Sequence, residues 1–243
     1  TAWLHVTNAC NLDCPYCYVQ KSSARMNADI GRRAVEAVFR SAQVHGFKQV
    51  KIKYAGGEAA LHFKLVRELH AHARRLADTS GHGLKAVVLS NGTYWSDEDV
   101  DWLMDNHVKL MISLDGVGAL HDRLRPDKHG GATFARVART IDEMLLPRGV
   151  RPDITVTITR LNAAGAAEAV KWAMIDRGLP VSLNFFRQPI GQATPEELAL
   201  EESIIIDGML AAYQVIETHL PAQPFFNGLL DRVQGGAHTH TCG

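Results

Sequence analysis

Three of the chain's four cysteines stand close together, in the run Cys10-Asn-Leu-Asp-Cys14-Pro-Tyr-Cys17. Thiolates at this C-x3-C-x2-C spacing, on one short loop, can grip three corners of an iron–sulfur cubane. Electron-transfer clusters commonly use four protein thiolates. Three leave one iron open to an outside ligand, as a catalytic metal keeps a position open for substrate. Zinc is the competing occupant. A structural zinc site wants four closed ligands, commonly as two short pairs. His5 is the candidate fourth ligand, although strand and loop would have to fold sharply to bring it round. Three free buried thiols are a further reading, and the spacing alone leaves these alternatives open. A secreted disulfide scaffold would spread its cysteines and use more of them in a smaller chain. Clustered thiols instead suit metal binding in a reducing, cytoplasmic compartment.

Other polar groups gather in short sets. Gly56-Gly57-Glu58 offers two glycines that allow close backbone approach and a carboxylate able to bind an amine. Ser90-Asn91-Gly92-Thr93 offers small polar groups suited to hydroxyls. Ser113-Leu114-Asp115-Gly116 offers a hydroxyl and a second carboxylate. Each set alone is compatible with ordinary turn chemistry, Asn-Gly and Asp-Gly above all.

The elements that must position these groups follow from periodicity. Strands are expected at Ala2–Thr7, Gln49–Tyr54, Lys85–Leu89, Lys109–Leu114, Asp153–Thr159 and Val181–Phe186. Between and after them, helical spacing of apolar residues marks Asn27–His45, His62–Asp78, Asp97–Asn106, Phe134–Leu146, Ala163–Arg177 and Pro195–His219. Ser96 is a suitable N-cap with acids in the following turn. Gly46, Gly81, Gly149 and Gly178 fall where helix ends need a left-handed residue. Six βα units imply a parallel sheet with right-handed crossovers and helices outside. A full eight-fold barrel takes about 250 residues, and only six strands are visible. The expected fold is therefore α/β, a partial (β/α)6 TIM-like barrel. Ligands in such folds bind at the carboxyl ends of strands, and the polar sets follow four successive strands. One face would thus offer an open iron, a carboxylate for an amine and groups for hydroxyls. A methionine-like amino acid carrying a ribose fits that list.

Lysine plus arginine and aspartate plus glutamate balance at 26 each in 243 residues, which argues against a general nucleic-acid binder. No apolar run approaches the roughly 20 residues of a membrane span. The chain opens on Thr1, already strand-like, and is expected to be an excerpt of a longer protein. Residues 1–220 read as one core domain and 221–243 as a loop-like tail.

At these residues the chain resembles the radical S-adenosylmethionine (SAM) superfamily, over roughly its first 220 residues. The resemblance implies a [4Fe-4S] cluster on Cys10, Cys14 and Cys17, with SAM bound to the open iron. Tyr16 stands where an aromatic residue packs near adenine. Gly56, Gly57 and Glu58 look like the motif that binds the SAM amino group, although Ala59 replaces the usual proline. Ser90, Asn91, Ser113 and Asp115 match positions near the ribose and methionine ends. His121-Asp122-Arg123-Leu124-Arg125 resembles a segment of anaerobic sulfatase-maturating and peptide-modifying members, which would pair Arg125 with the SAM carboxylate. Phe186 would contact adenine. The tail His238-Thr-His240-Thr-Cys242-Gly243 looks like the opening of a SPASM-type extension, which in relatives carries auxiliary iron–sulfur clusters. The implied chemistry is reductive cleavage of SAM to a 5′-deoxyadenosyl radical that abstracts hydrogen from a peptide or protein substrate. The electron would come from an external donor of flavodoxin or ferredoxin type. Two other classes compete: a zinc- or cluster-stabilised binding module without chemistry, and a non-redox barrel enzyme acting on a phosphorylated metabolite. The second would want a phosphate cradle after the late strands, where no glycine-rich loop is found.

Overall fold

The computed structural model of the protein describes residues 1–187 and 195–223. Six strands form one sheet in the order β1-β2-β3-β4-β5-β6, and every neighbouring pair is parallel. They are β1 (Ala2–Thr7), β2 (Gln49–Gly56), β3 (Gly83–Ser90), β4 (Lys109–Ser113), β5 (Asp153–Ile158) and β6 (Val181–Phe185). β1 and β6 are the two edges, so the barrel is open, as the six-strand count implies.

Strand sequences alternate, and the alternation sorts the two faces. Val50, Ile52 and Tyr54 of β2 are buried, as are Ile154, Val156 and Ile158 of β5. They pack in one core with Val35 of α1 (Ala28–Val44), Leu69 of α2 (Phe63–Ser80) and Leu103 of α3 (Asp97–Asp105). Parallel strands buried on both faces read as continuous apolar runs. These do not, because their second face is concave and carries polar residues such as Thr155 and Thr157.

Helix ends follow local chemistry. Asn27 caps α1 by accepting from the backbone N–H groups of Asp29 and Ile30. Ser96 caps α3 through the N–H of Asp99, as expected of such residues. Gly46, Gly81, Gly149 and Gly178 all have φ between 64° and 75°, the left-handed region glycine enters without Cβ strain.

Three expectations need adjustment. The helices expected at Phe134–Leu146 and Ala163–Arg177 are not uniform. α5 (Phe134–Arg139) widens into a π-helical segment, Thr140–Leu145, and α6 (Ala166–Val170) into another, Lys171–Ile175. Apolar spacing marks the buried side of a helix but does not separate α from π winding. The last helix, α7, begins at Glu202 and runs to His219, not from Pro195. Pro195 opens a short 3-10 turn, Glu196–Leu198, instead. One helix was not anticipated: α4 (Ala119–Leu124), entered through Gly116 and Gly118, both at positive φ.

Candidate active site

The cysteine loop leaves β1 and is tied down on both sides. On the near side the returning chain pairs with β1, through Asn8 N–H to Ala24 O (2.9 Å) and Met26 N–H to Val6 O (2.9 Å). On the far side Leu12 forms an antiparallel bridge with Asp127, and Asp13 N–H donates to Pro126 O (2.8 Å). Cys10 is buried, and Cys14 and Cys17 are half-buried; all three are free thiols. Burial pushes the Cys10 thiol up, and pushes Cys14 up to about 11. The charge of Cys17 adds to the rise at both, and that of Cys10 to the rise at Cys14. His5, the alternative zinc ligand, is hydrogen-bonded to Asn8 (2.7 Å).

Gly56 and Gly57 run against this loop. Gly57 N–H donates to Thr7 O (2.7 Å), and Glu58 N–H to Ala9 O (2.8 Å). A Cβ on Gly56 would collide with the Thr7 carbonyl, and one on Gly57 with the Ala9 carbonyl. The close backbone approach that these glycines allow is therefore between β2 and the cysteine loop. Glu58 is buried. Its Oε1 accepts from Ala60 N–H and the Ser90 hydroxyl (2.9 Å each), and its Oε2 from Asn91 N–H (2.6 Å). Burial raises its pKa, and those hydrogen bonds and Arg125 oppose the rise. Among the described residues no cation is paired with it by direct contact.

Ser90 and Asn91 use much of their capacity on protein partners. Ser90 Oγ also accepts from Gly92 N–H and Trp95 Nε1 (3.0 Å each). Asn91 Nδ2 donates to Asn11 Oδ1 (2.8 Å) and lies 3.9 Å from Cys10 Sγ. The end of β3 is thereby locked to the cysteine loop. Ser113 is half-buried at the end of β4, and among the described residues its hydroxyl has no partner.

Asp115 is fully buried and organises the far side. Its Oδ1 accepts from Thr157 N–H (2.7 Å), and its Oδ2 from Arg125 Nη1 (3.0 Å) and the Tyr16 hydroxyl. Arg125 Nη1 also donates to the Tyr16 oxygen. Arg125 Nε is buried without an acceptor. Burial works against the Arg125 charge, but Tyr16, Cys14 and Asp115 outweigh it and hold the guanidinium protonated. Burial also raises the Tyr16 phenol well above its ordinary range. The Tyr16 ring meets Phe186 edge-on at 6.4 Å, in a small cluster with Leu124 and Leu198. Tyr16, Asp115, Arg125 and Phe186 thus meet beside the cysteines.

Sequence reasoning missed Asn162, and named His121 and Asp122 only as part of the segment leading to Arg125. Asn162 Nδ2 donates to Asp115 O (2.8 Å) and Thr157 O (2.9 Å), while its Oδ1 accepts from Thr159 N–H (2.7 Å). His121 Nδ1 accepts from Asp115 N–H (3.3 Å). Asp122 accepts from Thr133 and Phe134 N–H (2.7 Å each), opening α5. An Asn four residues after the end of β5 was the available signal for Asn162, as a capping residue. Cys242, His238 and His240 lie outside the described residues.

Fold and site together define an open parallel α/β barrel that collects thiols, carboxylates and a guanidinium at its strand ends. The chain belongs to the radical SAM superfamily: the family model Radical SAM superfamily matches residues 4–173. The sporulation killing factor maturation protein SkfB of Bacillus subtilis is 30% identical over 69% of this chain and 38% of its own length. A serine-type anaerobic sulfatase-maturating enzyme of Klebsiella aerogenes is 30% identical over 75% of this chain and 44% of its own. The chain therefore spans less than half the length of either relative. In fold it matches native anSMEcpe with bound AdoMet, with TM-score 0.83 and 19% identity over 98% of this chain and 67% of that one. Streptococcus suis SuiB bound to S-adenosylmethionine matches with TM-score 0.68 and 15% identity, over 92% and 49%. Among the described residues no helix is long and apolar enough to cross a membrane.

Proposed function

We propose that this chain is the radical-generating core of a peptide- or protein-modifying enzyme, holding a [4Fe-4S] cluster on Cys10, Cys14 and Cys17 with SAM at its open iron. One observation carries the reading. Two buried charged groups beside the cysteines have unused capacity of opposite sign. Glu58 accepts three hydrogen bonds, whereas a carboxylate offers about four lone-pair sites, and it has no contacting cation. Arg125 has an idle Nε. Buried charges are normally paired, and a zwitterionic amino acid supplies an ammonium for the first and a carboxylate for the second. Glu58 acts electrostatically on Cys10, and Arg125 on Cys14, so both belong to the cysteine site.

The thiols fit a cluster better than a single ion. A structural zinc site wants four closed ligands, and His5, the candidate fourth, is instead hydrogen-bonded to Asn8; three thiolates suit a cubane with one iron left open. When bound, cluster and SAM supply reductive cleavage to methionine and a 5′-deoxyadenosyl radical that takes a hydrogen atom from substrate. The chain's own residues orient and enclose. Asp115 and Tyr16 hold Nη1 of Arg125, which would leave its Nε for the carboxylate of bound SAM. Ser90, Asn91 and the Ala60 N–H fix Glu58. Asn91 places an amide near the Cys10 sulfur, and the Ser113 hydroxyl would be available to the ribose. Tyr16 and Phe186, packed edge to face, would offer the adenine an apolar wall.

The peptide substrate is supported by the likeness to SkfB, a maturation protein, and to sulfatase-maturating enzymes. An external one-electron donor of flavodoxin or ferredoxin type completes the reading. Residues 221–243 would open a SPASM-type extension, with Cys242 as its first cysteine and auxiliary clusters beyond. The test is anaerobic reconstitution, reduction and addition of SAM, with 5′-deoxyadenosine measured by chromatography. Its formation, and its loss in Cys14→Ala, is expected; its absence from the intact protein sinks the reading.

A further inference from the structure

The concave face of the sheet carries charge that the site does not use. The parity that turns Val50, Ile52 and Tyr54 under the helices turns Lys51 and Lys53 to the opposite side. Strand register then assembles a wall. Trp3, Lys53, Val87 and Lys109 stand on one rung across β1 to β4, and Lys51 pairs with Lys85 on the rung next to it. Val87 is buried yet lies outside the helix-facing core, which confirms that this rung faces inward. Lys51, Lys85 and Lys109 are exposed and Lys53 is half-buried. Trp3 is 50% exposed, with the Lys53 ammonium 4.4 Å from its ring centroid.

Four cations on adjacent strands are costly company, since like charges opposite one another on a sheet destabilise it. Among the described residues the lysines held in ion pairs are Lys21 and Lys171, not these four. Burial and the charge of Lys51 both lower the pKa of Lys53. Asp153, half-buried on the same face of β5, is a single acid against four bases. The chain's remaining residues offer little to match them. Residues 188–194 carry no charge, and residues 224–243 have Asp231 as their one acidic side chain beside Arg232. The wall lies under the cysteine end of the same strands: Lys53 precedes Gly56 by three residues, about 10 Å of strand.

We propose that this lysine wall binds an acidic segment of the peptide substrate, with Trp3 as an apolar platform beside it, so that the substrate is gripped below the strand ends where it reacts. The inference rests on the reading of this chain as a peptide-modifying enzyme, and it specifies the substrate's charge. Electrostatic complementarity of this kind selects partners and weakens with salt.

Fluorescence anisotropy tests it with two short fluorescein-labelled probes, an alternating Gly-Glu peptide and its Gly-Gln counterpart, at low ionic strength. The Gly-Glu peptide should bind at least about tenfold more tightly, the scale of a few weakly screened charges. That preference should collapse in K51E/K53E/K109E. It should also collapse in K51Q/K85Q/K109Q, which leaves the Lys53–Trp3 contact in place and guards against misfolding. It should persist in R33E/R40E/K64E, which alters exposed charges on α1 and α2 instead. No preference in the intact protein, a preference unchanged by the wall variants, or equal loss in the helix variant overturns the proposal. So does tighter binding of a labelled oligonucleotide than of the Gly-Glu peptide. Formation of 5′-deoxyadenosine by the intact protein is scored separately. Its absence with the preference intact removes the radical reading and leaves an acidic-peptide site; its presence without the preference removes the wall alone.

Discussion

Arg125 sets one edge of its guanidinium on Asp115 and Tyr16 and leaves Nε buried and idle. A planar fork can serve two carboxylates at once, one on each edge; a lysine ammonium cannot reproduce that geometry. Arg125→Lys should therefore keep the cluster and the charge but raise the Kd for SAM about tenfold, roughly 1.4 kcal/mol. Equilibrium dialysis against labelled SAM reads it, with cluster absorbance as the control; an unchanged Kd would mean that Arg125 serves only Asp115. Tyr16→Phe keeps the ring against Phe186 and the Asp115–Arg125 pair, so its effect should be smaller than that of Arg125→Lys. At this scale the sequence was legible where residue types are chemically specific. Thiols at short spacing and a Gly-Gly-Glu run announce themselves. The Tyr16 hydroxyl link to Asp115 spans 99 positions, and no local pattern encodes a contact at that separation. Asn162 was hidden in part for the same reason, since its bond to the Asp115 carbonyl spans 47 positions; the bond of His121 to Asp115 N–H is local, but a histidine does not by itself announce a backbone partner.

Elements transmit the geometry, and Gly57 shows how. β2 lies so close to the cysteine loop that no side chain fits at Gly56 or Gly57. Gly57→Ala must push the Ala9 carbonyl, and with it the chain leading to Cys10. The expected result is lower iron and sulfide content after reconstitution, with a stability loss of about 1–3 kcal/mol, the usual cost of forced overpacking. Gly46→Ala is the contrast. Its φ is 67° but nothing lies within 4 Å of the added Cβ. It should cost about 1 kcal/mol through the backbone alone and leave iron content unchanged. Equal iron loss in both variants would show that general instability, not loop displacement, is responsible. Strand positions and helix faces were legible because burial imposes periods of two and about 3.6. α4 was not, since its six residues are too few to show a period. The two π-helical segments were not either, because their apolar faces continue those of α5 and α6. The true start of α7 at Glu202 was obscured by Glu196–Leu198, acidic residues that resemble a helix opening but form an isolated turn after Pro195.

Across the whole molecule, the helix layer and the strand-end site each bury a histidine, and this ties folding to pH. His70 of α2 packs between Tyr54 and Trp102, with ring centroids at 6.3 and 5.4 Å. His121 lies under Asp115 against Phe134, at 5.9 Å. Both are buried, and burial lowers each pKa from the ordinary 6.5 to about 4. Above about pH 6.5 folded and unfolded chains both hold these rings neutral, and neither contributes a pH dependence. Between pH 6.5 and about 4 the unfolded chain binds the protons first, so stability falls as pH falls through that window. The slope is about 1.4 kcal/mol per pH unit for each ring, giving a loss of roughly 3 kcal/mol per histidine by pH 4. Neither ring nitrogen of His70 makes a hydrogen bond of standard geometry among the described residues, although the nearby Asn106 backbone opposes part of the fall in its pKa. Leucine, of similar volume, can therefore replace it with no more than a weak contact to the Asn106 backbone lost. Urea denaturation of His70→Leu and the intact protein, at several pH values from 7 down to 4, separates this contribution from that of the carboxylates. The variant's curve of stability against pH should be shallower by about one proton in the upper part of the window. Curves that stay parallel would mean that His70 is protonated equally in both states, and that the helix layer around Tyr54 and Trp102 admits water.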